Sequence, residues 1–365
     1  MFSSFFRFIR SADWLLLAST IILALFGCAA LYSIGLGKDP QNFTFLQKQA
    51  TVLAGALFLL LLISTTNYRL LRAGSIILYA ISLALLVAVL FFGADVRGTS
   101  RWFQIGGFAF QPVEFAKIAL ILMLARYFSR YTRQMRVGRH LFMTGILAFI
   151  PISLTLLQPD FGSAVILFLI WLGMIILSGI PKRFGIGLLV LACAIAPVVW
   201  FGVFKEYQKQ RILTYLSPQS DRQGSGYNVR QAMIAIGEGQ LFGRGLGQGS
   251  QSHLKFLPET QTDFIFSVLA EEVGLFGLGI IFLFWTLLFY RLTRIMLLAR
   301  DDFALYSVLG VALFLLIHVV FNIGGNLGLI PFKGVVLPFM SYGGSALAAA
   351  LVGIGIAQSV KIYSS

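Results

Sequence analysis

The chain reads as an all-α integral membrane protein, a polytopic bundle of about ten transmembrane helices with one large extracytoplasmic loop. Three observations predict this. Hydrophobic residues make up 58% of the sequence and charged residues only 12%, whereas soluble globular domains carry roughly 25% charged residues. The mean hydropathy is +0.87. The apolar residues fall in runs of about 20, the length a helix needs to cross a hydrocarbon core, with short polar breaks between them.

Taken in order, the runs cover residues 14–35, 49–65, 74–93, 113–128, 141–157, 161–179, 184–203, 264–290, 303–325 and 338–361. Leu25-Phe26-Gly27-Cys28 resembles a lipoprotein cleavage box behind a basic start. The apolar stretch continues to Leu36 and further spans anchor the chain, so an uncleaved first helix is expected. The run 113–128 is short and carries Glu114 and Lys117, which suits a partial or tilted crossing. Only Gln158-Pro159-Asp160 separates the next two runs, which predicts a tight helical hairpin. Residues 204–262 form the large outer loop, and a connection of that length is usually functional or disordered. Within it, Arg211 to Leu216 has the pattern of an interfacial amphipathic segment, and Tyr227 to Gly237 that of a short helix on the membrane surface. No Ser/Pro linker or charged tail marks a second domain, so residues 1–365 are expected to form one transmembrane domain.

Lys/Arg placement in short loops sets orientation. With the N-terminus in the cytoplasm, inner segments hold Arg7, Arg10, Arg69, Arg72, the five arginines between Arg126 and Arg139, Lys182, Arg183, Arg291, Arg294, Arg300 and Lys361. Outer short loops hold only Lys38, Lys48, Arg97, Arg101 and Lys333. Both termini are therefore expected inside. The net charge of +14 would suggest a nucleic-acid ligand in a soluble protein. Here most of the basic residues are topogenic or sit beside anionic headgroups, and no RNA or DNA motif is present. The two cysteines, Cys28 and Cys193, fall inside predicted spans and imply no disulfide framework.

Polar residues gather on the outer side in three places: 94–117, Gln158-Pro159-Asp160, and 204–262 with the helix start that follows. The glycine-rich stretch from Gly237 to Gly249 lacks the Gly-Lys-Ser/Thr ending of a phosphate loop and the preceding strand of a dinucleotide loop. It reads as a turn-rich surface loop. Charges at lipid depth are costly unless paired or wetted, which makes them functional candidates. Glu114 and Lys117 share a helix face and are expected to pair, bordering a polar cavity with Arg101 and Gln104. Asp160 reads as a cap at the hairpin tip, and His318 as a histidine satisfied inside the bundle.

Asp263 is the strongest catalytic candidate. Spacing alone makes it an N-cap or first-turn acid. It also stands where the long outer loop enters the membrane, near the headgroups, where a partly desolvated carboxylate suits a general base. Ser267 and Glu271 follow at helical intervals, so Asp263–Ser267–Glu271 forms a polar stripe suited to a cavity wall or to an ion path. The helix breakers in Gly324–Pro331 and Val336–Ser345 imply backbone that faces protein or a wet cavity, so this stretch is expected to line the same cavity as Asp263, with a re-entrant turn as the alternative. No His-x-x-x-His pair or cysteine cluster is visible, and the chain has three histidines. No cofactor is evident; a hard cation held by carboxylates and phosphate oxygens leaves no such signature.

These residues together resemble the SEDS family (shape, elongation, division and sporulation). Arg101-Trp102-Phe103 with Phe110-Gln111-Pro112-Val113-Glu114-Phe115-Ala116-Lys117 is similar to its R-W…Q-P-S-E-x-x-K block, with Val113 where the family usually has Ser. Gln158-Pro159-Asp160-Phe161-Gly162 resembles Q-P-D-x-G. Leu257-Pro258 through Thr262-Asp263-Phe264-Ile265-Phe266, then Glu271-Glu272 and Gly274, resembles L-P-x-x-x-T-D-F-I-F…E-E-x-G. Pro338 to Ser345 is similar to P-x-x-S-Y-G-G-S. Gln208-Lys209-Gln210-Arg211 and Gly224-Ser225-Gly226-Tyr227 favour the RodA-type elongation member.

The resemblance implies a peptidoglycan glycosyltransferase that polymerises lipid II on the outer face of the bacterial inner membrane. It implies as partners a class B penicillin-binding transpeptidase and other elongation-complex membrane proteins, and no nucleic acid. It maps the catalytic carboxylate onto Asp263. Arg101, Lys117 and Arg211 are then expected to face the leaving pyrophosphate, with Glu114 and Ser341 beside the substrate, and Thr262, Ser267, Glu271 and Asp160 lining the cavity. A lipid II flippase would use the same polar cavity but needs polar groups at both leaflets. A non-enzymatic scaffold would be indifferent to loss of Asp263.

Overall fold

The computed structural model describes residues 8–37, 40–96, 99–131, 137–179, 187, 190, 225–249, 257, 259–330 and 334–364. Of the expected span 184–203 only residues 187 and 190 are described, and the segment 211–216 and Cys193 lie outside the described residues. In chain order the elements are α1 (Trp14–Leu36), α2 (Thr44–Thr65), α3 (Tyr68–Phe92), β1 (Ala94–Val96), β2 (Thr99–Ile105), β3 (Phe108–Phe110), α4 (Pro112–Tyr131), α5 (Val137–Leu157), α6 (Phe161–Leu177), α7 (Ser225–Glu238), α8 (Ile265–Leu297), α9 (Asp302–Asn326) and α10 (Gly344–Ser364). All of these helices except α4, α6 and α7, seven in all, are long and apolar enough to cross a membrane. The chain is a multi-pass membrane protein, nearly all helical.

Helix α4 is longer than expected. Its 20 residues, at about 1.5 Å each, span roughly 30 Å, enough for a full crossing. It tolerates Glu114 and Lys117 because it lies inside the bundle, against α3 and α9. Helices α9 and α10 are similarly enclosed, and α10 packs along α2. Lipid offers no hydrophobic drive for helix association, so close backbone approach through small residues supplies the packing. A Cβ on Gly355 would stand 3.1 Å from the Leu60 carbonyl oxygen, and one on Gly27 only 2.5 Å from the Met340 Cα.

The polar segment 94–110 folds into an antiparallel meander in the order β1-β2-β3. Gly106 and Gly107 turn the second hairpin with φ of 56° and 82°. Residues 338–343, expected to begin the last span, are instead turn and coil, and α10 starts at Gly344.

Helix α8 is broken. Gly274 has φ 65° and ψ −170°, a region open essentially only to glycine. The break frees backbone groups, and the glycine-rich loop after α7 satisfies them. Arg244 and Gly245 donate to the carbonyls of Glu271 and Glu272 at 2.9 and 3.0 Å, while Leu275 and Phe276 donate to those of Gln240 and Leu241 at 2.9 Å each. This loop is therefore docked into the helix break rather than spread over a surface. Three glycines permit the approach: a Cβ would lie 1.9 Å from the Ala270 oxygen at Gly239, 2.1 Å from the Glu272 oxygen at Gly243, and 2.2 Å from the Gly243 nitrogen at Gly274.

At the opposite end of the bundle from the meander, Asp13 caps α1 through Leu16 N–H at 3.0 Å and pairs with Arg291 of α8 at 2.6 Å. The Gln358 side chain of α10 holds both backbone groups of Asp13, at 2.9 and 2.8 Å. One polar knot thus joins α1, α8 and α10.

Candidate functional site: a polar cavity ringed by helix starts

A cavity of about 890 Å³ opens at the meander end of the bundle. Residues at or near the starts of α2, α4, α6, α8 and α10 line it, among them Gln49, Gln111, Ser163, Asp263 and Ser345. Helix N-termini carry unpaired N–H groups and partial positive charge, which favours an anionic ligand.

Asp263 precedes α8 but does not cap it. The N-cap is Phe264, without a side-chain bond, and Asp263 Oδ2 instead accepts from Gly334 N–H at 3.0 Å. Its backbone carbonyl is clamped by two amides of α9, Asn322 Nδ2 at 3.1 Å and Asn326 Nδ2 at 2.9 Å. The loop before α10 is stitched to the same turn. Tyr342 N–H donates to the Gln261 carbonyl at 2.8 Å, and Ser341 Oγ to the Thr262 carbonyl at 2.7 Å. The carboxylate thus stands on a backbone fixed from two sides.

Two ion pairs cross the cavity wall. Lys117 Nζ meets Glu114 Oε1 at 2.7 Å, with both side chains buried. Arg101 of β2 meets Asp160 Oδ1 at 3.3 Å. Asp160 also caps α6 through Ser163 N–H at 3.2 Å and accepts from Gln111 Nε2 at 3.2 Å. It is at once a cap and part of the wall. Lys48 of α2 is a third cation in the lining; its Nζ donates to the Gly107 carbonyl at 3.0 Å, tying the hairpin tip to α2. Burial pushes the Tyr342 phenol above its usual range, so it faces the cavity as a neutral hydrogen-bonding group.

Of the residues singled out in the sequence, Asp263, Thr262, Arg101, Glu114, Lys117 and Asp160 come together in this lining. Ser341 does not reach it. Its hydroxyl is occupied by the Thr262 carbonyl and by Leu337 N–H at 2.8 Å. Ser267 and Glu271 also lie outside the lining and are fully buried. Ser267 Oγ donates to Asn326 Oδ1 at 2.6 Å, and Glu271 lies beside the helix break. The expected stripe is therefore not a cavity wall: Ser267 packs against α9 below Asp263, and Glu271 sits at the docked loop. Arg211 lies outside the described residues. The segment 336–345 contributes Val336 and Tyr342 to Ser345 to the lining as expected, while residues 324–330 do not reach it. Sequence reasoning missed Lys48, Gln49 and Glu259 as lining residues and Asn322 and Asn326 as the clamp. The polar start of α2 and the two asparagines one turn apart in an apolar helix were the available signals. Among the described residues no group of three or more His, Cys, Asp or Glu side chains is gathered to hold a metal ion.

The chain is similar to known proteins over nearly its whole length. The profile of the FtsW, RodA and SpoVE family, described as "Cell cycle protein", matches residues 11–365. Peptidoglycan glycosyltransferase MrdB of Escherichia coli strain K12 is 38% identical, over 94% of this chain and 92% of that one. Stage V sporulation protein E of Bacillus subtilis strain 168 is 34% identical, over 97% and 98%. Among solved structures, the rod shape determining protein RodA of Thermus thermophilus superposes with a TM-score of 0.72 at 28% identity, over 96% and 97% of the two chains. A chain from a structure described as "Structural coordination of polymerization and crosslinking by a peptidoglycan synthase complex" gives 0.80 at 30% identity, over 96% and 98%. With a family profile spanning almost every residue and the fold shared throughout, the chain belongs to the FtsW, RodA and SpoVE family of cell cycle proteins.

Proposed function

We propose that the chain is a RodA-type peptidoglycan glycosyltransferase that polymerises lipid II during cell elongation. The names of its relatives support the activity. The observation that carries the chemistry is the placement of Asp263, a carboxylate on a clamped backbone facing a polar cavity lined by helix starts. In this reading Asp263 takes the proton from the acceptor sugar hydroxyl. The freed oxygen attacks the anomeric carbon of the lipid-linked growing strand, and the bond to pyrophosphate breaks with its electron pair on the leaving group. One displacement converts an α-linked donor into a β-1,4 bond. Pyrophosphate departs without a general acid, so the complementary need is positive charge. Arg101 and Lys117 supply it from the wall and Lys48 from the rim.

The chain would work in the bacterial inner membrane with both termini cytoplasmic and the cavity open to the outside. The Lys/Arg asymmetry of its short loops supports that orientation. Its partners would be a class B penicillin-binding transpeptidase and other elongation-complex membrane proteins, a reading supported by the likeness to a chain of a peptidoglycan synthase complex.

The test uses the full chain purified with its cognate transpeptidase and supplied with labelled lipid II. Wild type is expected to yield glycan polymer on a gel, and Asp263→Asn none, with folding intact. Equal polymer from both removes Asp263 from the mechanism. Translocation of lipid II without polymer from wild type replaces the polymerase with a flippase.

A further inference from the structure

His318 of α9 lies in the cavity lining, yet nothing in the displacement above employs it. Its Nδ1 sits 2.8 Å from the Phe314 carbonyl oxygen, which can only accept, so Nδ1 carries the hydrogen. Its Nε2 sits 3.1 Å from Lys117 Nζ, which can only donate, so Nε2 offers a lone pair. The ring is therefore the neutral Nδ1–H tautomer, and Lys117 is held from two helices: by Glu114 on α4 and by His318 on α9. A Lys ammonium has three N–H groups. Glu114 Oε1 and His318 Nε2 take two, and the third has no acceptor among the described residues. Glu114 Oε2 is buried and likewise without a hydrogen-bond partner among them. Both residues line the cavity.

Charge neutrality alone does not call for His318, since Glu114 and Lys117 already cancel each other. What the imidazole adds is direction. A lysine stem is flexible, and with Glu114 as its only partner the ammonium would settle wholly on that carboxylate. We infer that His318 is a positioning residue: it holds Lys117 between α4 and α9 so that one ammonium N–H and Glu114 Oε2 stand ready as a donor and an acceptor for the sugar–pyrophosphate of the substrate. The N–H goes to a phosphoryl oxygen, and the carboxylate oxygen takes an O–H or N–H of the attached sugar. Negative charge grows on the pyrophosphate as its bond to the sugar breaks, so the lysine contact strengthens in the transition state. The inference rests on the polymerase reading.

Two measurements test it. In the polymerisation assay, His318→Gln keeps an acceptor oxygen within reach of Lys117 and is expected to stay within about twofold of wild type. His318→Leu removes the acceptor at similar volume and is expected to lower kcat about tenfold, with KM changed less. Unchanged co-purification with the transpeptidase checks that each variant folds. Equal loss in both variants would mean that His318 only fills space, and full activity of His318→Leu would mean that it does nothing; either overturns the proposal. The second measurement is independent of activity. The chain has three histidines, and 15N-histidine labelling of the full chain in detergent, assigned with His318→Gln, resolves this ring. The Nε2 resonance of the Nδ1–H tautomer is expected to move in the charge-neutral variant Glu114→Gln/Lys117→Met, and an unmoved resonance rejects the contact. A wild-type chain that makes no polymer sinks the polymerase reading instead, and the nitrogen resonances then decide the contact by themselves.

Discussion

Lys117 shows how a charge is kept inside a membrane. It is 1% exposed, on a helix surrounded by protein, with a carboxylate at 2.7 Å, an imidazole at 3.1 Å and the Phe314 ring centroid at 6.0 Å. Desolvating an ion is expensive, and removing one member of a buried pair leaves the other uncompensated, at about 3–5 kcal/mol. Lys117→Met is therefore expected to destabilise by about that amount in thermal or denaturant unfolding in detergent. Glu114→Gln/Lys117→Met, which removes both charges, is expected to recover most of the loss while still lacking polymerase activity. The same accounting separates the other acids. Asp160 is committed to a cap and an arginine. Asp263 stands on a carbonyl held by Asn322 and Asn326, so its position is decided by the backbone beneath it.

The broken helix α8 is the element on which the site depends. Its first turns follow Asp263, and its orientation is set by the glycine-rich loop inserted at Gly274. Ser33 of α1 reinforces the insertion. Its hydroxyl bonds Glu272 of α8 and accepts from Gly247 N–H at 2.9 Å, joining α1, loop and α8. Gly274→Ala is expected to cost about 1–3 kcal/mol in backbone strain alone, and more because the new Cβ would lie 2.2 Å from the Gly243 nitrogen. Gly239→Ala meets the Ala270 carbonyl and should behave alike. Gly74→Ala, on α3 with open space around it, is the control. It should be neutral or stabilising by up to about 1 kcal/mol, as Ala is the better helix former. Melting temperatures and polymerase rates of the three variants check this. Two variants at the break that unfold like the control would mean that the loop is not docked there.

For the whole molecule, the meander, the 158–160 hairpin tip and the connection before α10 all contribute to the cavity, while the Asp13–Arg291–Gln358 knot joins three helices at the other end. If the basic asymmetry sets orientation, a membrane-impermeant maleimide added outside intact cells should label Phe108→Cys in a Cys28→Ala/Cys193→Ala background. It should leave Arg300→Cys unlabelled until the membrane is opened. Both positions are exposed, so the reverse pattern inverts the topology and removes the extracellular polymerase.

The amino-acid sequence by itself determined the membrane class, the order of most spans, the Glu114–Lys117 pair, the Asp160 cap and the place of Asp263 where the outer loop meets the membrane. Each of these is written in local terms: apolar run length, three-residue helical spacing, or a polar group at the edge of a run. Only tertiary structure decided the rest. Strands β1 and β3 of the 94–110 meander, three residues each, are too short to show a period and join the sheet only by pairing with β2. The spacing of Ser267 and Glu271 correctly put them on one helix, but that Ser267 meets Asn326 of α9 and Glu271 meets the loop at Gly274 is set by packing. The glycines from Gly237 to Gly249 look like loop residues until the break in α8 supplies the carbonyls they must approach. Lys48 and His318 acquire meaning only when the starts of α2 and α4 and the body of α9 converge, because contacts between residues far apart in the chain leave no periodic mark in it.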